Sequence, residues 1–225
     1  TTLFRSVPIH MTYLQLVNSV LRRLRENEVD TVDQNAYSKL IGEYVNDAKR
    51  TVEDAWDWTA LRTAITVTTS SSTYSYTLTG SQNRLKVLNV IDQTSNNFLS
   101  YSPSNKMDRD YLANPDPTGA PKYYTFKGVD ASGDNKIELY PKPDGVYSID
   151  FNVVKRTGDF TADADTLAIP SSPVIQLATA FGARERGETG GTSAAEMFAI
   201  VDSTLADAIA LDAALHPEET IWNVV

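Results

Sequence analysis

Apolar residues recur every three or four positions along Met11–Glu26, the spacing that gathers them on one face of a helix. They are Leu14, Val17, Leu21 and Leu24. Thr12 is the predicted N-cap, and the basic residues of this helix are Arg22, Arg23 and Arg25. The same periodicity predicts a second helix from Asp33, its expected N-cap, to Trp56, so that the two helices form an antiparallel hairpin.

The pattern changes after Trp58 to strict alternation of apolar and polar residues, which is typical of strands. Alternation begins around Ile65 and Val67, and the further predicted strands are Leu85–Ile91, Asn97–Tyr101, Lys122–Lys127, Lys136–Tyr140 and Val146–Lys155. In the last of these, Tyr147, Ile149, Phe151 and Val153 share one face, as expected when one side of a sheet is buried. Turn residues separate the runs, so we expect an antiparallel β-rich region.

Helical periodicity returns near the C-terminus and predicts two more helices, Val174–Gly187 and Ser193–Leu215. Ser172 is the expected cap of the first. The apolar face expected for the second is Phe198, Val201, Leu205, Ala208 and Leu211. The fold class is therefore α+β: a discontinuous four-helix domain of residues 1–60 plus 166–215, an inserted antiparallel β-rich domain of residues 61–165, and an extended C-terminal tail of residues 216–225.

Composition narrows the classes of function. The 225 residues carry a net charge of -9, which disfavours binding to nucleic-acid phosphates, and they include no cysteine, which removes disulfides, thiolate nucleophiles and cysteine-ligated metals. No run approaches the roughly 18 apolar residues that span a bilayer. We therefore expect no membrane association.

Catalytic chemistry finds little support in the sequence. His10 and His216 stand apart from other metal-ligating residues, and we interpret both as solvent-facing. Asp130, Ser132 and Asp134 have calcium-loop spacing, but Asn135 replaces the required glycine. A weaker alternative is an acidic hydrolase that uses a cluster of carboxylates, namely Asp159, Asp163 and Asp165. The prediction is that the protein is not an enzyme and needs no cofactor or metal.

Two apolar features are candidates for binding. Aromatic residues crowd the β-rich region, so a carbohydrate-binding or tail-fibre-like module is the alternative function. The tail carries an apolar cluster outside any amphipathic element, composed of Ile221, Trp222, Val224 and Val225. Such a cluster either folds back on its own domain or docks into a partner.

The order of these segments resembles that of the head-to-tail adaptor, or connector, proteins of short-tailed bacteriophages, of the tail tubular protein A type. The stretches that carry the resemblance are the helix ending in Val52–Trp58, the threonine-rich strands that follow, the strand Lys136–Pro141, and Leu167–Pro170 before the alanine-rich helices. The resemblance covers most of the chain.

The resemblance implies a structural virion protein that is made in the bacterial cytoplasm and located at the head–tail junction. It implies a ring of twelve subunits that binds beneath the portal protein, extends the DNA channel without sequence-specific DNA binding, and offers a platform to a tail nozzle of the tail tubular protein B type. The tail residues Ile221, Trp222, Val224 and Val225 are then the expected portal contacts. Contacts between subunits are expected from Arg22, Arg23, Arg25, Arg184 and Arg186.

Overall fold

The computed structural model describes residues 10–82, 84–114, 117–187 and 192–216. Its helices are α1 (Tyr13–Arg23), α2 (Ala36–Ala55), α3 (Ser104–Ala113), α4 (Ser171–Glu185) and α5 (Thr192–Ala213). Its strands are β1 (Arg62–Thr68), β2 (Ser75–Thr77), β3 (Leu85–Asp92), β4 (Asn97–Phe98), β5 (Ser100–Tyr101), β6 (Tyr123–Val129), β7 (Asn135–Tyr140) and β8 (Ser148–Lys155). This mixture of helices and largely antiparallel sheets confirms the α+β class.

The chain divides into two compact units. The helical unit comprises the chain up to Leu61 and again from Thr157, and the β unit is Arg62–Arg156. Residues 157–165, which the sequence assigned to the β-rich region, belong to the helical unit. Side chains of α2 donate to the carbonyls of Gly158 and Phe160, and the carboxylate of Asp163 accepts from a backbone N–H of the turn before α2. The predicted tail lies almost wholly outside the described residues.

Side chains fix where the first two helices begin. Thr12 caps α1 as predicted: its hydroxyl accepts from the Gln15 backbone N–H at 3.3 Å, and the Gln15 side chain accepts from the Thr12 N–H at 3.0 Å. The predicted cap of α2 is wrong. Asn35 accepts from the Ser38 N–H at 2.8 Å, while Asp33 lies in a short 3-10 turn before it. Ser172 likewise lies inside α4, which begins after Pro170.

Helix α4 is the centre of the helical unit. It packs against α1, α2 and α5, and its buried residues occur all around its axis rather than on one stripe. Gly182 permits the close approach to α1 and α2, because a Cβ at that position would lie 2.7 Å from Leu24 and 3.4 Å from Ile41. α1 and α5 both pack on α4 but not extensively on each other.

A buried ion pair attaches the segment after β8 to α2. Lys49 and Glu53, each only 1% exposed, lie 3.2 Å apart on successive turns. The Lys49 ammonium also donates to the Gly158 carbonyl at 2.6 Å, and the Glu53 carboxylate accepts from both the N–H and the hydroxyl of Thr157. The charges are thus satisfied in a site without solvent, as buried charges require.

The β unit consists of two four-stranded sheets that share one hydrophobic core. Their strand orders are β1-β8-β3-β4 and β2-β7-β6-β5, and every pair is antiparallel except β5 with β6. The alternation predicted for the last strand is confirmed as far as Val153, since Ile149, Phe151 and Val153 are completely buried. It ends there, because Val154 is completely buried as well. Helix α3, which packs on β6, was not predicted, because only Met107 of its ten residues is buried and no apolar stripe marks it.

We expect the acidic segment before α4 to contribute to the pH dependence of stability. The carboxylate of Asp165 accepts from the backbone N–H groups of Thr161 at 2.7 Å and Ala162 at 2.8 Å. Those bonds, the Ala162 bond foremost, hold the pKa of Asp165 below its ordinary value of 3.8. The stabilisation is therefore complete above about pH 3.8 and is lost as the pH falls through the folded-state pKa.

Urea unfolding of Asp165→Asn and of the wild-type protein at a series of pH values tests this expectation. The difference in unfolding free energy between the two should be largest above pH 3.8 and should shrink below it. Asp30→Asn, whose exposed carboxylate has no hydrogen bond to the described residues, is the matched control. A difference that is the same at every pH would contradict the role given to Asp165.

Candidate assembly surfaces

The two groups of arginines, more than 150 positions apart in the sequence, meet at one end of the helical unit. Arg186, just after α4, donates to the Leu24 carbonyl at 2.8 Å and to the hydroxyl of Tyr37 at 2.7 Å, and also pairs with Glu26. These bonds hold the end of α4 against the end of α1. We call the resulting surface the arginine end, composed of Arg22, Arg23, Arg25, Arg184 and Arg186.

The arginines of this surface differ in their partners. Arg186 donates its hydrogen bonds to groups of its own chain, and Arg22 binds Glu28 at 2.6 Å. Arg23, Arg25 and Arg184 are exposed and form no ion pair with the part of the chain that the structure describes. Burial, followed by the neighbouring Arg22 guanidinium, lowers the pKa of Arg23. The role of these five residues between subunits stays a prediction.

Helix α5 exposes an apolar surface that the sequence pattern did not predict. Val201 and Ala208 pack towards α4 as expected, but Leu211 is 76% exposed instead of buried, because three further residues rotate the helix by about 60° away from the buried direction. The exposed residues follow at three- and four-residue intervals. We call them the α5 outer face: Glu196, Ile200, Ser203, Asp207 and Leu211.

A groove adjoins the α5 outer face. It has a volume of about 460 Å³ and lies between the start of α4 and the last turns of α5, with Pro173, Leu211 and Leu215 among its apolar residues. Asp212 at its edge is held by the indole N–H of Trp56 at 3.0 Å and the backbone N–H of Thr59. His216, predicted to face solvent, lies 2.7 Å from the hydroxyl of Thr59. The last turns of α5 are thus fixed to the end of α2.

The predicted docking residues of the tail are Ile221, Trp222, Val224 and Val225, and they lie outside the described residues. Their contact with a portal stays a prediction.

Aromatic residues of the β unit pack mainly on one another. The ring centroid of Tyr111 lies 5.1 Å from that of Tyr74 and 5.0 Å from that of Tyr140, and the Tyr111 hydroxyl donates to the Leu139 carbonyl. Burial, and then the Glu138 carboxylate, raise the pKa of Tyr111. Tyr74 remains 38% exposed, with the ammonium of Lys142 5.6 Å from its ring centre. These contacts stabilise the sheet edge. Phe98 and Tyr101, 70% and 58% exposed, keep free ring surface.

The candidate carboxylates bind the chain's own groups. Asp159 pairs with Arg50 at 3.2 Å, Asp163 accepts from the Val32 N–H at 3.1 Å, and Asp165 closes the turn described above. In the β unit, Asp134 accepts from the N–H groups of Gly80 and Gln82, each at 2.9 Å. Among the described residues there is no cluster of three or more His, Asp or Glu side chains suited to a metal ion.

The family model described as SU10 adaptor protein matches residues 11–217, which include both units. No curated protein matches the sequence significantly. Within the ranges that the structure describes, no helix is long and apolar enough to cross a membrane.

Proposed function

The chain belongs to the SU10 adaptor protein family, and we propose that it forms a ring beneath the portal protein of a bacteriophage and joins the head to the tail. The family assignment identifies a structural adaptor of the virion. The single observation that carries the proposal is the extent of the match, residues 11–217, since it takes in both the helical unit and the β unit.

In this proposal the ring has twelve subunits and continues the DNA channel from the portal to the nozzle. A net charge of -9 suits a channel protein, because double-stranded DNA can pass an acidic surface without being bound. The uncompensated arginines of the arginine end and the exposed apolar residues of α5 supply surfaces for contacts between subunits. The β units of the ring's subunits form the platform for a nozzle of the tail tubular protein B type.

We further propose that Ile221, Trp222, Val224 and Val225 dock into the portal. A tryptophan and three aliphatic residues within five positions are the composition of an interface anchor. The chain truncated before Ile221 should bind the portal from the same genome about 30-fold more weakly than the full chain, because loss of a central tryptophan anchor costs about 2 kcal/mol.

Mass photometry and negative-stain imaging of the protein mixed with that portal test both proposals. A ring of stoichiometric mass on the portal, weakened by the truncation, is the expected result. Full binding by the truncated chain would remove the docking role of the tail and leave the adaptor role intact. No binding by the full chain to a correctly assembled portal would overturn the adaptor role, and glycan binding by the β unit would be measured next.

A further inference from the structure

We infer that the α5 outer face binds the arginine end of a second copy of this chain, as the lateral contact of the ring. The inference rests on the proposed ring and assigns the two surfaces that meet in it. Ile200 and Leu211, 50% and 76% exposed, are the large apolar residues of one surface and lie about three turns apart on it, with polar residues between them. Arg23, Arg25 and Arg184 are the uncompensated charges of the other.

The composition of α5 calls for a second packing surface. An amphipathic surface helix has a polar side, but α5 is rich in alanine and carries large aliphatic residues both towards α4 and towards solvent. Its exposed side also bears small residues, Ala199, Ser203, Ala206 and Ala210, over which another helix can approach closely. In a lone chain this side leaves apolar area in water.

Charge complementarity identifies the surface that binds the α5 outer face. Helix α5 contains no lysine or arginine, and its exposed acids Glu196, Asp202 and Asp207 form no ion pair with the described residues. The arginine end has the opposite charge, and three of its arginines form no ion pair with the residues that the structure describes. An acidic apolar surface and a basic surface on one chain fit each other between two copies.

The positions of the two surfaces decide the type of contact. Among the described residues, α1 and α5 both pack on α4 but not extensively on each other, so Arg23 and Arg25 of one copy are separated from its own α5 outer face. Each copy therefore uses its α5 outer face towards one neighbour and its arginine end towards the other. Such a head-to-tail contact between unlike surfaces generates a closed ring when the rotation from one copy to the next closes.

Two double variants and a control test the inference. The variant Ile200→Arg/Leu211→Arg places two positive charges on the α5 outer face, where they face the arginines of the neighbouring copy. Arg23→Ser/Arg25→Ser removes charge from the other surface. Leu112→Arg, at an 84% exposed leucine of α3 in the β unit, is the matched control. Circular dichroism should show all three folded, because every substituted side chain is exposed.

The measurement is the distribution of subunits per portal at limiting amounts of protein, by mass photometry after cross-linking. The wild-type protein and Leu112→Arg should fill portals cooperatively, so that empty and complete rings predominate. Either double variant should bind as scattered single copies, with the affinity between neighbours weakened about 100-fold. An equal mixture of the two double variants should add adjacent pairs but no longer arcs, since each pair contains one intact contact.

Each outcome decides either the lateral contact or the adaptor role. Cooperative filling by Ile200→Arg/Leu211→Arg overturns the inference and leaves the adaptor role standing. Cooperative filling by Arg23→Ser/Arg25→Ser alone also overturns it, because α5 would then contact some other surface. If the wild-type chain binds no portal, the adaptor role falls. Sedimentation of the protein alone at high concentration then decides the inference: self-association that α5 substitution abolishes supports it, and a wild-type monomer overturns it.

Discussion

Lys49→Met is expected to lower the free energy of unfolding of the helical unit by about 3–5 kcal/mol, because it leaves the Glu53 carboxylate buried without its counter-ion. The carboxylate keeps two hydrogen bonds from Thr157, but its side chain is only 1% exposed, so bulk solvent does not replace the lysine. Lys49→Met/Glu53→Leu should recover part of the loss, since an apolar pair of similar volume removes the unpaired charge. Recovery stays partial because the Thr157 donors then lack an acceptor.

Urea unfolding followed by tryptophan fluorescence measures this effect in the helical unit alone. The three tryptophans are residues 56, 58 and 222, so none lies within the β unit. Trp58 is fully buried and donates to the Val52 carbonyl at 2.7 Å, which makes its emission sensitive to unfolding of α2. Lys39→Met is the matched control: it breaks an exposed pair with Asp33 at 3.5 Å and should cost less than about 1 kcal/mol. Equal losses in the two variants would contradict the importance of the Lys49–Glu53 pair.

Phe151→Ala is expected to lower the stability of the β unit by about 3–5 kcal/mol. The ring is fully buried in the shared core and meets Tyr124 edge-on, with centroids 5.4 Å apart. Truncation removes this contact and leaves a cavity between two sheets that can relax only partly. The matched control is Phe98→Ala, at a phenylalanine 70% exposed on β4, which should change stability by about 0.5 kcal/mol or less.

Near-UV circular dichroism of the tyrosines reports this second unfolding, since most of them lie in the β unit. If the two units unfold separately, Phe151→Ala shifts the tyrosine signal and leaves the tryptophan transition in place. A coincident shift of both signals would show that the units unfold together. A loss no greater than that of Phe98→Ala would contradict the packing assigned to Phe151.

Much of the fold could be predicted because local chemistry decides it. The cap at Thr12 needs only Gln15 three positions later, and the buried face of β8 is evident from strict alternation. Asn35 was missed as a cap because Asp33, two positions earlier, is an equally good capping residue. Helix α3 was missed because a helix that buries one side chain has no periodic signal.

The features that depend on distant residues could not be predicted. Lys49 and Glu53 have the spacing of an ordinary solvent-exposed helix pair, and what buries them is Thr157 and its neighbours, more than 100 positions later. The five arginines were predicted from the sequence as one set. Which of them bind a partner in their own chain depends on the positions of Glu26, Glu28 and Tyr37. The exposure of Leu211 depends on where α4 lies.

The two ends of the β unit lie side by side. Arg62 begins β1, Val154 stands near the end of β8, and the two are directly paired in the first sheet. The chain thus leaves and re-enters the helical unit through neighbouring positions, at Leu61 and Thr157. A gene segment that encodes the β unit can therefore be exchanged as a block during recombination between phages. The two chain segments of the helical unit need to be joined only across a short gap. The β unit can then diversify while the helical unit is inherited unchanged.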